Sequence, residues 1–215
     1  IGAVVMPFDE RQARLADAAF IRYGKGQGHP AQLNFGDCAV YALAASLGEP
    51  LLFVGNDFPK KGLPTLLQAL AQLPVDCYLA VVGNAAQKAR VQTELQASGQ
   101  AARVHFLGSL ASVDVAYQAA DCLAHPTLED AFAMVVLEAL AHGLPVAVSG
   151  PAYCGIAADL RDGEEALLLT NPRDAQGLAR ALERLLHDSA LATRLREHGL
   201  AFARRHLWSE IALQQ

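Results

Sequence analysis

The sequence predicts an α/β protein: a doubly wound parallel sheet covered by helices, with a strand–helix–helix fragment added at its amino end. From Leu51 onward, short apolar runs alternate regularly with longer stretches of helical periodicity. The intervening segments are long enough to be the crossover connections that parallel neighbours require. Before Leu51 the rhythm differs, with a glycine-rich loop set between two helical stretches. Right-handed crossovers then wind the regular part into two helical layers around one sheet.

Ile1–Met6 is an apolar run ended by Pro7, and Ala13, Leu15, Ala16, Ala19 and Phe20 recur at helical spacing. Arg22–Pro30 is a glycine loop, and Cys38–Leu47 has the composition of a buried helix. Strands are then expected at Leu51–Val54, Cys77–Val82, Val104–Leu107, Cys122–His125, Pro145–Ser149 and Ala166–Thr170. Helices are expected between them at Leu63–Leu73, Gln87–Ser98, Val113–Ala120 and Ala133–His142, the last closed by Gly143 and Pro145. A short helix is placed near Gly155–Leu160. Leu178, Ala181, Leu182, Leu185 and Leu186 mark an amphipathic helix, and a final one runs from about Leu191. Ligands of such sheets lie at the carboxyl ends of the strands, so the loops after Val54, Val82, Leu107, His125 and Ser149 carry the search.

Composition narrows the function classes. The 215 residues are 53% hydrophobic and 18% charged, which suits a sizeable core. A net charge of −5 supplies no global attraction to nucleic acid or anionic membrane. No apolar run reaches the length of about 18 residues that a membrane-spanning helix needs, and the sequence opens at Ile1 without a basic n-region or a small-residue cleavage site, so no signal peptide is expected. Cys38, Cys77, Cys122 and Cys154 are widely spaced without a metal-ligand pattern, so reduced, buried thiols in a cytoplasmic protein are expected.

Two segments carry chemistry. Leu51–Leu63 ends a strand in a glycine loop that brings Lys60 and Lys61 to a helix start. Backbone amides there, together with an ammonium, form an anion site; a plain surface turn with solvated lysines is the alternative. The second segment runs from His125 to Val146, with Asp130 in a loop and Glu138 eight residues later in an otherwise apolar helix. A carboxylate beside Val136, Leu137, Ala139 and Leu140 is costly unless it is paired, so it is expected to face a polar partner or ligand. The simpler alternative places it on the wet side of that helix. Gly24–Gly28 is read as a turn rather than a phosphate loop, because it follows a helix and lacks the required spacing.

These segments, with Ala80-Val-Val-Gly-Asn84, Val104-His-Phe-Leu-Gly108 and Ala119–Pro126 in order between them, resemble the donor-binding domain of retaining GT-B glycosyltransferases of family four. The His-Pro ahead of the acid and the Tyr153-Cys-Gly155 loop are similar to those of lipopolysaccharide-core glucosyltransferases. The resemblance covers residues 51–215 and implies a Rossmann-like fold that binds a nucleoside diphosphate sugar such as UDP-glucose. It implies Lys61 at the diphosphate, with Gly55 allowing close backbone approach. Gly83 and His105–Gly108, including Leu107, would line the base pocket, and Glu138 would hold the ribose hydroxyls. Asp130 would contact the transferred sugar, and the amides near Phe132, Ala133 and Met134 would meet phosphate or sugar. Asp130 and Glu138 are thus the pair assigned to catalysis. No metal is required for such transfer, since cations and helix ends stabilise the leaving group. Three departures stand out: Asp130 for the usual Glu, Ala133 where Gly is common, and Asn56 where many members carry Arg.

Residues 1–58 resemble something else. Pro7–Ala13, Arg22–Gly26, His29-Pro-Ala31, Leu33–Cys38, Tyr41–Ala44, Gly48–Phe53 and Gly55–Phe58 are similar to the second half of VapC-type PIN-domain ribonuclease toxins. That resemblance implies Asp37 and Asp57 as remnants of an acidic site for Mg²⁺ or Mn²⁺, hard ions that prefer oxygen ligands. The first two acids of that family have no counterpart from Ile1 onward, so donor binding with weak or no turnover is the first expectation, and a residual nuclease or an inactive fold chimera the alternatives. Neither nucleic acid nor an antitoxin is expected as a partner. The division is therefore 1–50, PIN-like, and 51–215, donor-binding, joined as a chimera at the shared Leu51–Phe58 stretch. The donor nucleotide, the acceptor and the oligomeric state stay open at this point.

Overall fold

Successive side chains of single strands point to opposite faces, and both faces are buried under helices. In the computed structural model the described residues are 49–110 and 112–206, with isolated positions (13, 14, 16, 17, 20, 21, 25, 26 and 38) before them. The strand, two helices and glycine loop expected within 1–48 therefore lie largely outside the described residues, and Asp37 lies outside them too.

Among the described residues six strands form one parallel sheet: β1 (Glu49–Val54), β2 (Cys77–Val82), β3 (Val104–Gly108), β4 (Cys122–His125), β5 (Val146–Ser149) and β6 (Leu167–Leu169). Their order is β3-β2-β1-β4-β5-β6. The chain builds outward from β1 through β2 to β3, then crosses back to place β4 on the other side of β1. The switch point thus falls between β1 and β4, where a crevice opens beyond the strand ends. Register is continuous along β1, from Glu49 opposite Cys77 to Val54 opposite Val82, and Leu51 and Leu52 pair with Cys122 and Leu123 of β4.

Helices α1 (Leu63–Leu70), α2 (Lys88–Ala97), α3 (Asp114–Ala119), α4 (Met134–Ala141), α5 (Ala175–His187) and α6 (Ser189–Arg205) cover the two faces. Leu51, Phe53, Leu79, Val81 and Ala124 point toward α1, α2 and α5. Leu52, Val54, Val82, Leu123 and Val148 point toward α3 and α4. Leu191 and Leu195 of α6 pack in the first layer and Phe202 in the second, so this helix serves both.

Local chemistry sets the helix ends. Leu63, Leu66, Leu67 and Leu70 form the buried stripe of α1, whose start is the left-handed Gly62 with Pro64 in the first turn. Asp174 caps α5 through the Gly177 amide at 2.9 Å, and Asp188 caps α6 through the Leu191 amide at 2.9 Å. Gly143, at φ 69°, ends α4 and returns the chain to β5. The expected elements from Leu51 onward all appear; those at Gln87 and Gly155 begin or remain as 3₁₀ turns (Ala85–Gln87 and Gly155–Ala158). Among the described residues no helix is long and apolar enough to cross a membrane.

Candidate functional site at the sheet switch point

Close backbone approach makes the crevice. A Cβ on Gly83 would lie 1.9 Å from the Gly55 carbonyl oxygen, and one on Gly62 would lie 1.9 Å from that of Pro126. Only glycine fits at either position, and both have positive φ. The Lys60 carbonyl then accepts from the Leu128 amide at 2.8 Å and from the buried Thr127 hydroxyl at 3.3 Å. The loops after β1 and β4 are thereby stitched together. Gln87 clips the first loop from the other side, accepting from the Phe58 amide at 2.9 Å and donating to the Asn56 carbonyl at 2.5 Å.

That stitching sets Lys61 against Asp130. Lys61 Nζ lies 2.5 Å from Asp130 Oδ2, with the two side chains 22% and 15% exposed. Fully buried His125, the last residue of β4, brings its Nε2 to 3.2 Å from the same oxygen. A carboxylate only accepts, so Nε2 carries the proton there. The other ring nitrogen, Nδ1, makes no hydrogen bond among the described residues. Outside this group an exposed pair, Lys60 and Glu129 at 3.1 Å, repeats the charge pattern.

The loop after β5 fixes the backbone of Asp130. The Asp130 amide donates to the Tyr153 carbonyl at 2.9 Å, and the Gly155 amide donates to the Asp130 carbonyl at 3.0 Å. The Tyr153–Gly155 loop is therefore a clamp on the acidic segment. Gly155 is required, since a Cβ there would meet the Ala131 carbonyl at 1.9 Å.

The remaining Asp130 oxygen changes one expectation. Oδ1 accepts from the Ala133 amide at 2.8 Å and, more weakly, from the Phe132 amide at 3.4 Å. The amides of Phe132 and Ala133, expected to face phosphate or sugar, are engaged by the protein's own carboxylate; of the three, only that of Met134 is not. The short side chain of Asp folds back onto the helix start beside it, as an N-terminal acid is favoured to do. Ala133 is buried and adopts φ 67°, the sole non-glycine residue with positive φ among those described. The side chains of Phe132 and Met134 are exposed.

Charge follows from these contacts. The His125 hydrogen bond holds the Asp130 carboxyl well below the usual carboxylate range, against the opposing effect of burial and with further help from Lys61. Burial, reinforced by the Asp130 charge, pushes the Cys154 thiol up to about 11, so it stays protonated at neutral pH. All four cysteines are buried.

Glu138 stands on the exposed side of α4, which resolves its cost among apolar neighbours. Its Oε2 accepts from the Tyr117 hydroxyl at 2.8 Å. It starts the second turn of α4, about 7 Å along the axis from Ala133. His105, expected to line the base pocket, lies back from the carboxyl end of its strand. It sits second in β3, stacked on Tyr78 near the start of β2, with its Nε2 buried and unpartnered among the described residues. Burial lowers its pKa. It lies three residue steps before Gly108, about 10 Å, half-buried on the edge strand of the sheet. Leu107 is nearer the strand end and packs in the α3–α4 layer. Asp57 is exposed and accepts from the Lys60 amide at 3.1 Å, and no group of three metal-ligating side chains occurs among the described residues.

Two contributors went unassigned from sequence. His125 was visible as a histidine ending an apolar strand before proline, five residues ahead of the acid. Tyr117 carried no local signal, since nothing in its helix points to Glu138, 21 positions later.

Comparison with known proteins decides the family. The family described as "Glycosyl transferases group 1" matches residues 48–201. The chain belongs to that family. It is 34% identical over 177 residues to the phosphatidyl-myo-inositol mannosyltransferase of Mycobacterium leprae, covering 78% of this chain and 45% of that protein. It is 32% identical over 157 residues to the lipopolysaccharide glucosyltransferase WaaG of Escherichia coli, covering 71% of this chain and 41% of that protein. The crystal structure of Anabaena HepE in complex with UDP-glucose superposes with a TM-score of 0.74 at 22% identity, over 92% of this chain and 58% of that one. At that identity the likeness shows the GT-B fold alone. Separately, 64 residues are 59% identical to ribonuclease VapC28 of Mycobacterium tuberculosis, 30% of this chain and 48% of that protein. The two resemblances of a chimera are thus both present. The chain spans about half or less of the length of the curated relatives it matches.

Proposed function

We propose that residues 51–215 are the donor-binding half of a retaining glycosyltransferase, taking a nucleoside diphosphate hexose such as UDP-glucose at the β1–β4 switch point. The observation that carries this is the Lys61–Asp130 pair, 2.5 Å apart at the mouth of the sheet where such folds bind ligands. In this reading Lys61 turns to the diphosphate when donor arrives. Asp130, released from the ammonium but still anchored by His125 and the Ala133 amide, accepts from sugar hydroxyls. Gly55 and Gly83 let the backbone approach the phosphates and base, and Glu138 takes the ribose. Positioning and electrostatic stabilisation of the leaving diphosphate supply the catalysis, with no metal required. Turnover by residues 51–215 alone is weak in this reading, because an acceptor-binding domain is not among them. The domain boundary is drawn at residues 50 and 51.

Calorimetric titration with UDP and UDP-glucose tests the reading. Wild type binds, and Lys61→Ala binds about thirtyfold more weakly, the loss of one charge-assisted contact. A wild-type chain that takes up no nucleoside diphosphate would falsify it.

A second reading is favoured by the VapC likeness: a metal-dependent ribonuclease using Asp37 and Asp57 with Mg²⁺ or Mn²⁺. Cleavage of a structured RNA that needs the metal and is lost in Asp37→Ala supports it; silence with either metal removes it.

A further inference from the structure

The Tyr117–Glu138 contact joins two helices in a way that packing alone does not require. Tyr117 is 2% exposed, and its ring stacks on His142 with centroids 5.3 Å apart and planes at 23°. His142 Nε2 lies 3.0 Å from Asp114 Oδ1, and Asp114 Oδ2 accepts from the Ser112 hydroxyl at 2.7 Å. A chain of contacts therefore runs from the start of α3 through the end of α4 to the phenol. At its far end the hydroxyl reaches out of the core to an exposed carboxylate.

We infer that Tyr117 is a positioning residue for nucleotide recognition, holding Glu138 in the rotamer that presents its free oxygen to the two ribose hydroxyls. This rests on the donor-binding reading above. A glutamate on an exposed helix face has three side-chain rotors to immobilise, and doing so on binding weakens affinity. The phenol removes that cost beforehand by occupying Oε2. A carboxylate has about four acceptor sites, so Oε1 and the second lone pair of Oε2 remain for a ligand. Among the described residues no other side chain donates to Glu138. The phenol in turn has one stable state: burial, together with the hydrogen bond and charge of Glu138, raises its pKa, so it remains a donor throughout the neutral range. Tyr117 touches no ligand in this scheme; it acts through Glu138.

The test compares wild type, Tyr117→Phe and Glu138→Ala by calorimetry. The ligands are whichever of UDP, GDP and ADP binds wild type most tightly, and its 2′,3′-dideoxy analogue. Phenylalanine keeps the buried ring and its stack on His142, so melting temperature should be nearly that of wild type. The expected result is that Tyr117→Phe weakens the ribonucleotide about three- to tenfold, the cost of immobilising one rotamer-rich side chain on binding, and leaves the dideoxy analogue unchanged. Glu138→Ala abolishes the preference for ribose altogether. Equal weakening of both ligands by Tyr117→Phe assigns the tyrosine a merely structural role and overturns the inference. So does an unaltered ribose preference in Tyr117→Phe while Glu138→Ala loses it, and in that case the donor-binding reading stands. If wild type binds none of the three diphosphates, or Glu138→Ala keeps the ribose preference, the underlying reading fails and the inference with it.

Discussion

The loops after β1 and β4 meet at one crevice but solve the same geometric problem differently. The first uses glycine wherever the backbone turns left-handed or approaches a neighbour, at Gly55, Gly62 and, from β2, Gly83. The second makes its left-handed turn at Ala133, a residue with a Cβ, and then compensates by capping the Ala133 amide with Asp130. Left-handed backbone costs a non-glycine residue roughly 1–2 kcal/mol. The first loop is therefore relaxed and the second is strained, and the strain lies beside the acid that holds Lys61. Backbone strain of this kind tends to collect at functional sites.

The largest effect should come from breaking the relaxed loop. In Gly62→Ala the new Cβ meets the Pro126 carbonyl and φ is 81°, so we expect a loss of about 3 kcal/mol or more. Urea denaturation measures it; a loss under about 1 kcal/mol would show that the two loops are not locked together as described.

Acid should reveal the strained loop next. The Asp130 carboxyl is depressed in the folded state, so its stabilisation is fully present above the ordinary carboxylate pKa of about 3.9 and fades as pH falls toward the lower folded value. Wild type should lose stability below about pH 4 more steeply than Asp130→Asn, which lacks the titrating group. Parallel melting curves for the two proteins across that window would count against the Asp130 network.

Ala133→Gly should act with the opposite sign to Gly62→Ala. Removing the Cβ relieves the left-handed turn while the freer unfolded chain offsets part of the gain, leaving a stabilisation of roughly 0.5–1 kcal/mol. A rise in melting temperature is the expected readout, and a fall would mean that the buried methyl packs better than its backbone is strained. Lys60→Ala closes the series. Its partner Glu129 is 78% exposed, so the change should stay within about 0.5 kcal/mol, in contrast to its neighbour Lys61.

Most of the fold was legible because strand and helix periods are local. Cys77–Val82 and Cys122–His125 begin and end where their apolar runs do. The resemblance put Lys61 and Asp130 at one donor site, but their direct contact was not legible, since 69 positions separate the two and nothing in either segment names the other. The engagement of the Phe132 and Ala133 amides by Asp130 was hidden for a finer reason. It depends on a side chain one methylene shorter choosing between a ligand and its own helix start. The stacking of His105 on Tyr78 was not legible, because a histidine inside a strand looks the same in sequence whether it faces a ligand or a tyrosine ring. Tyr117 was silent because its hydroxyl, and not its ring, makes the contact that matters.

The position of β1 has a practical consequence. The stretch that reads as the end of a VapC-like segment and the start of a glycosyltransferase segment is the middle rung of the ladder, bonded to β2 on one side and β4 on the other. Trimming the VapC-like residues in full would cut the sheet in two, a pair β2–β3 and a trio β4–β6, each with a raw inner margin able to seek another chain. A shortened protein meant to stay monomeric has to keep everything from Glu49 onward.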